Sequence, residues 1–242
     1  MLQVKDLKKF FGGVKAVNGV SFGVRKEEQI AIVGPNGAGK TTLLNLISGF
    51  LKPTEGVIIY NGIDIVRKSV FERIKLGIVR SWQIPQLFES LSVREAIFAS
   101  LLSKRGDIYK IWKYTTSYKD ELKKADEIAS LFNLKEDKKI KELSEGERKL
   151  LDVALAFALK PNLLLLDEPT SGVSSEDKFK VISSIIEACS KEKITLLVVE
   201  HDMEIIKKYF GRVIFMHEGR ILKDSTPNDV FNDEIIKNLL GE

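Results

Sequence analysis

Gly34-Pro35-Asn36-Gly37-Ala38-Gly39-Lys40-Thr41-Thr42 fits G-x-x-x-x-G-K-[ST], and what flanks it turns a string match into a site. The apolar run Ile30-Ala31-Ile32-Val33 precedes it, and Leu43-Leu44-Asn45-Leu46-Ile47 follows, so the order predicted is strand, glycine loop, helix. Glycines let the loop curl until successive backbone N–H groups point into one cavity, a nest for phosphate. The helix opening beyond Gly39 adds its free N–H groups and the positive end of its dipole. Gly34, Asn36, Gly37, Ala38 and Gly39 are therefore the expected phosphate cradle. Lys40 is placed to reach the β- and γ-phosphates, and the Thr41 hydroxyl to ligate Mg2+. The nest predicts nucleoside-triphosphate binding, and the rest of the chain is organised around it.

Composition bounds the alternatives. A chain of 242 residues with 44% hydrophobic and 30% charged residues is globular and large enough to bury a sizeable core. A formal charge of +4 is too mild to point to nucleic acid, although it is compatible with an anionic membrane surface. No apolar run approaches the roughly 18 residues of a spanning helix. The opening Met1-Leu2-Gln3-Val4-Lys5-Asp6 does not read as a signal peptide. Cys189 is the single cysteine, which permits no internal disulfide and fits a reducing compartment. Its apolar neighbours Ile185, Ile186 and Ala188 suggest helix packing rather than chemistry.

Before the nest, residues 2–10 and 17–24 read as strands about a turn at Gly12-Gly13. Taken alone, Phe10 and Phe11 are strand-end aromatics covering the core. On a loop ahead of a phosphate nest, such a ring can also stack on a purine base. Beyond the nest, Val57-Ile58-Ile59-Tyr60 followed by Asn61-Gly62 predicts a hairpin. Residues 69–76 are helical, and Gly77–Ser81 is a strand delivering Trp82-Gln83 to a loop. Residues 92–104, about 119–132 and 144–159 have helical periodicity, which predicts a helical subdomain. The intervening Tyr109, Trp112, Tyr114 and Tyr118 lie among lysines, as either a docking surface or a solvated face with inward-packed rings. Ser144 and Glu147 form a capping box, which leaves Gly146 unexplained.

Leu163-Leu164-Leu165-Leu166 reads as a central parallel strand buried on both faces, and it ends in Asp167-Glu168. Carboxylates at such an end sit in the crevice where α/β sheets bind ligands, Asp167 to help hold Mg2+ and Glu168 to polarise water. Ile194–Val199 is a second buried strand, ending in Glu200-His201-Asp202. His201 therefore lies on the ligand side, whereas His217 sits in a hairpin turning at Glu218-Gly219 and receives no role.

The order of these motifs resembles the nucleotide-binding subunit of ATP-binding-cassette (ABC) transporters over essentially the whole chain. The Leu143-Ser144-Glu145-Gly146-Glu147 element ahead of Leu166-Asp167-Glu168-Pro169 separates that family from other phosphate-loop ATPases. Several stretches are similar to the larger ATPase type of branched-chain amino acid uptake systems: Phe11–Val17, Leu46–Phe50, Gln83–Phe88 and Val199–Met203. The resemblance implies one ABC ATPase domain over residues 1–242. Its α/β core has a mostly parallel sheet and an N-terminal antiparallel β subdomain, about 1–84 and 160–242, with a helical subdomain inserted at about 85–159.

It also implies roles. Phe11 would stack on adenine, Thr42 would join the phosphate cradle, Gln83 and Asp167 would complete the surroundings of Mg2+, Glu168 would be the general base, and His201 would contact the γ-phosphate. Ser144 and Gly146 would cover the ATP of a second ATPase subunit in a head-to-tail dimer. Membrane permease subunits and, indirectly, an extracellular solute-binding protein would be partners, with the chain peripheral on the cytoplasmic face. Phe88, Leu91 and Val93, near the start of the helix at 92–104, either line a groove that receives a short permease helix or pack the subdomain core. For any one of them the core is the favoured reading. The alternatives are an exporter or lipid-extraction ATPase, and a soluble ABC ATPase acting on nucleic acid. Two positions depart from the family pattern: Glu147 where glutamine is usual, and Gly172-Val173-Ser174 where Gly-Leu-Asp or Gly-Leu-Asn is usual.

Overall fold

The computed structural model describes residues 1–81, 89–105 and 118–240. An antiparallel sheet is built first. β1 (Leu2–Phe11) pairs with β2 (Val14–Val24), and on its other edge with β4 (Glu55–Tyr60). β4 turns through Asn61 and Gly62, at φ of 48° and 82°, into β5 (Ile63–Asp64). Two successive positive φ values give the turn a twist that matches the strands, which is why Asn-Gly marked a hairpin.

The second sheet has six strands in the order β10–β9–β3–β8–β7–β6. These are β3 (Gln29–Val33), β6 (Ile78–Arg80), β7 (Leu163–Asp167), β8 (Thr195–Val199), β9 (Arg212–His217) and β10 (Arg220–Ser225). All neighbouring pairs are parallel except β9 with β10. Residues along the central strands alternate between two cores. Leu164, Leu166, Leu196 and Val198 face one apolar cluster, and Leu163, Leu165, Leu197 and Val199 face the other. This two-sided burial is what a run of four leucines requires. It also sets the level of the strand ends, because Asp167 is in register with Val199, and Val199 with Ile32.

The first cluster is covered by α5 (Glu145–Ala158), α6 (Ser175–Lys191) and α7 (Met203–Tyr209). On its flank sit α3 (Val93–Arg105) and α4 (Lys119–Leu131), tied to α5 by Phe132 edge-on to Phe157 at 4.9 Å and by Ser100 Oγ donating to Leu155 O at 2.8 Å. The chain ends in α8 (Pro227–Phe231) and α9 (Glu234–Leu240). Val93 is fully buried and Leu91 packs on the same cluster, so these two belong to the core rather than to a docking groove. Of the two readings the core one holds for this pair, because large apolar side chains at a helix start gain most by burial. Phe88 and Tyr109 to Ser117 lie outside the described residues, and Tyr118 packs edge-on against Phe98 at 5.8 Å.

The second cluster holds α1 (Lys40–Ser48) against the antiparallel sheet. At the C-terminal end of α1 stands Arg73 of α2 (Val70–Lys75), 1% exposed. Its Nη1 donates to Leu46 O at 2.6 Å and Ile47 O at 2.8 Å, while Nε reaches Lys68 O at 3.1 Å. Burial lowers its pKa to about 10 despite Asp64 and Glu72, so it stays charged at neutral pH. A cation at a helix C-terminus satisfies otherwise unpaired carbonyls and complements the dipole. Arg73→Met should therefore destabilise the chain by about 2–3 kcal/mol, since each buried acceptor left without a donor costs on the order of 1–3 kcal/mol and relief of guanidinium burial offsets part of it. Urea unfolding at unchanged m value measures this, and a loss below about 0.5 kcal/mol would mean the carbonyls find other donors.

Candidate functional site

The glycine loop joins β3 to α1, with Gly39 as the helix N-cap at φ 98°. An added Cβ on Gly39 would lie 2.1 Å from Ala16 O, and one on Gly34 would lie 2.0 Å from Met216 O. Both positions are thus closed to any side chain by backbone from distant segments. The turn between β9 and β10 braces the loop further: Gly219 N–H donates to Ala38 O at 3.1 Å, and Asn18 N–H donates to Gly219 O at 2.8 Å. Lys40 is 6% exposed, and its Nζ donates to Gly34 O at 2.6 Å and Pro35 O at 3.0 Å. Burial pushes its pKa down, opposed by Glu168 and Asp167.

A cavity of about 900 Å³ opens over this loop. Phe11, the stretch from Asn36 to Thr42, and Glu168 line it, together with Lys15, Asn18, Glu218 and Arg220. The ring of Phe11 is 47% exposed, with Lys9 Nζ 5.1 Å from its centroid. Thr41 Oγ1 donates to Asp167 Oδ1 at 3.3 Å across the gap between α1 and the end of β7. Oxygen-only donors of this kind suit a hard divalent cation. Gln83 lies outside the described residues.

Glu168 follows β7 with φ 51°, a left-handed conformation that a glutamate holds only where its surroundings impose it. Its N–H donates to Val199 O at 3.0 Å, and its Oε1 lies 2.6 Å from His201 Nε2. The ends of β7 and β8 therefore bring Asp167, Glu168 and His201 to the rim of the nest.

Sequence reasoning missed three side chains beneath this rim. Arg80, at the end of β6, donates through Nη2 to Asp167 Oδ2 at 2.8 Å with both side chains buried, and through Nη1 to Asn45 Oδ1. Thr170 Oγ1 donates to Glu200 Oε1 at 2.6 Å, and both residues are 3% exposed. The Asp167-Glu168 pair at a strand end could have prompted a search for a buried cation, but nothing local marks Arg80 as that cation.

Ser144 and Gly146 do not line the cavity. Ser144 caps α5 by accepting from Glu147 N–H at 3.3 Å, and Glu147 Oε2 accepts from Ser144 N–H at 2.7 Å. Lys138 Nζ donates to both Glu147 oxygens at 2.9 and 2.8 Å, so this carboxylate is held doubly. A Cβ on Gly146 would meet Val181 at 3.4 Å and Val173 at 3.7 Å, ordinary contacts. The fold of this chain therefore does not by itself demand glycine there. Cys189 is buried, which pushes its thiol up to about 12 and leaves it inert at neutral pH.

The family profile described as "ABC transporter" matches residues 17–171. Over its whole length the chain is similar to the "Probable branched-chain amino acid transport ATP-binding protein" of Archaeoglobus fulgidus, at 33% identity, covering 100% of this chain and 95% of the relative. A high-affinity branched-chain amino acid transport ATP-binding protein of Pseudomonas aeruginosa is 29% identical, covering 100% and 98%. Among solved structures, the ADP conformation of an ATP-binding cassette of an ABC transporter is 30% identical, covers 100% of this chain and 99% of its own, and superposes with a TM-score of 0.88.

Glu147 offers a direct check of the doubly held carboxylate. Burial raises its pKa, but Lys138 and the Ser144 N–H outweigh that and hold it below the usual glutamate value. A depressed folded-state pKa contributes stability that is present above the unfolded value of about 4.3 and is lost as pH falls through the folded value. Glu147→Gln, which keeps the cap but not the ion pair, should cost less than about 1 kcal/mol at pH 7. Thermal unfolding across pH should show that difference shrinking below about pH 4. A difference independent of pH would remove the ion pair as its source.

Proposed function

The chain belongs to the ABC transporter family, and we propose that it energises import of branched-chain or related amino acids by hydrolysing ATP. The observation that carries this reading is the convergence of Lys40, Thr41, Asp167, Glu168 and His201 around one nest at the C-terminal ends of β3, β7 and β8. The relatives named above are branched-chain amino acid transport ATP-binding proteins by name, which supports amino acid transport over the lipid-extraction and nucleic-acid alternatives. Among the described residues no helix is long and apolar enough to cross a membrane. In this reading separate permease subunits form the solute path, and the chain is peripheral on the cytoplasmic face.

ATP would lie with its triphosphate in the nest and its base toward Phe11. Lys40 and the N–H groups at the start of α1 bind the phosphates. Thr41 and Asp167 fit Mg2+ through their converging oxygens, and the resemblance adds Gln83 to them. Bound there, Mg2+ supplies neutralisation of charge on the β- and γ-phosphates. Glu168 accepts a proton from water as the water oxygen attacks the γ-phosphorus. The bond from that phosphorus to the bridging oxygen breaks, and ADP keeps the electron pair. His201 meets the Glu168 carboxylate through Nε2, and with ATP in place that N–H would turn to the γ-phosphate.

A second copy of the cassette, or a related one, would complete the site. Ser144 and Gly146 lie outside this chain's own cavity, and no contact within the chain requires glycine at 146. A partner's γ-phosphate approaching the N-terminus of α5 supplies that requirement. The whole chain then acts as one ABC ATPase domain, with about 85–159 as the inserted helical part that faces the permease.

Glu168→Gln tests the base. ATP binding should persist while phosphate release falls ~10²–10⁴-fold, and an ATP-dependent dimer should appear on gel filtration. Phosphate release close to that of the unaltered chain would remove Glu168 from the role.

A further inference from the structure

Glu200 and Thr170 are buried polar residues that line no part of the nucleotide cavity. Glu200 follows β8 and Thr170 lies two residues beyond Glu168, so each belongs to a loop that carries a reacting or contacting side chain. Their bond is short, with Thr170 Oγ1 donating to Glu200 Oε1 at 2.6 Å. The second carboxylate oxygen accepts from His201 N–H at 3.0 Å, and Glu200 N–H donates to Ile32 O at 3.3 Å on β3. Burial pushes the Glu200 carboxyl upward, opposed by Thr170 and by the N–H groups of His201 and Asp202. A buried carboxyl with this many donors is costly to bury and strongly directional once satisfied.

Taken together, these contacts close a ring. Glu168 N–H reaches Val199 O at its base, the Glu168 and His201 side chains meet at 2.6 Å at its mouth, and Thr170–Glu200 spans its buried side. The loop past Thr170 continues to Val173, which is buried beside Gly146. The Thr170–Glu200 bond thus stands behind the Glu168–His201 pair and fixes the separation of the two loops.

We propose that Thr170 and Glu200 are positioning residues for hydrolysis: their buried bond sets where Glu168 and His201 stand relative to the γ-phosphate. This inference rests on the ATPase reading. It predicts loss of turnover without loss of nucleotide affinity, because neither residue contacts the nest. A misplacement of about 1 Å at a reacting group costs up to ~10²-fold, so a loss of about 10- to 100-fold in kcat is expected.

The test uses the full-length chain with Mg2+ and ATP. Thr170→Val removes the hydroxyl at nearly constant volume, Thr170→Ser keeps it, and Glu200→Leu removes both acceptors, the one for Thr170 and the one for His201 N–H. Phosphate release against ATP concentration, ATP affinity by calorimetry and Tm are measured for each. Thr170→Val and Glu200→Leu should lower kcat about 10- to 100-fold with KM and Kd within about twofold of the unaltered chain. Thr170→Ser should restore kcat. Three results would overturn the proposal: full kcat in Thr170→Val, failure of Thr170→Ser to restore it, or a kcat loss matched by the fraction unfolded at the assay temperature. An inactive unaltered chain would instead sink the ATPase reading, and the positioning role with it.

Discussion

Burial of β7 and β8 on both faces is the constraint from which the rest follows. A strand whose alternate residues feed two separate cores can slip neither by one residue nor by two. One residue would exchange its two faces, and two would displace every leucine from the pocket cut for it. Register is therefore stiff, and stiffness at the strand's middle is inherited at its end. Asp167 stands level with Val199 and with Ile32 because the leucines below it admit no other alignment. Residues of unlike chemistry on three strands are thereby held on one rim without a covalent tie among them.

This explains why much of the site was legible. Period and polarity are local, and they announced the nest, the two buried strands and their polar ends. The capping box at Ser144 and the Asn61-Gly62 turn are equally local, and the structure has both. At the start of α6 the Ser174 hydroxyl caps the helix by accepting from Asp177 N–H at 3.2 Å. The Asp177 carboxylate, however, accepts the Ser174 hydroxyl at 2.9 Å.

What was not legible is long-range or conformational. Arg80 and Asp167 are 87 residues apart, and Thr170 and Glu200 are 30 apart. In the sequence, Arg80 is a charge at the end of a short strand, and Glu200 is one acid beside a histidine. Only the β6–β7 and β7–β8 pairings turn them into partners. The positive φ of Glu168 has no sequence signature, since glutamate has no special tolerance for that region. Val93 and Leu91 went the other way: their apolar character was visible, but whether it faced a partner or the core was decided by α4 and α5, which close over them.

The bracing of the nest by Ala16, Met216 and Gly219 bears on how the chain is made. The loop itself is complete once 42 residues have left the ribosome, and so is β3 beneath it. Both hydrogen-bonding edges of β3 then stay unfilled, because its neighbours β8 and β9 are not synthesised until residues 195–217. At about 5–20 residues per second, an apolar strand waits roughly 10–35 seconds for its partners. Over that interval it is an open edge of the kind that recruits foreign strands. The nascent chain thus carries its most functional segment in its most vulnerable form. That exposure is set by topology, not by the stability of the finished fold.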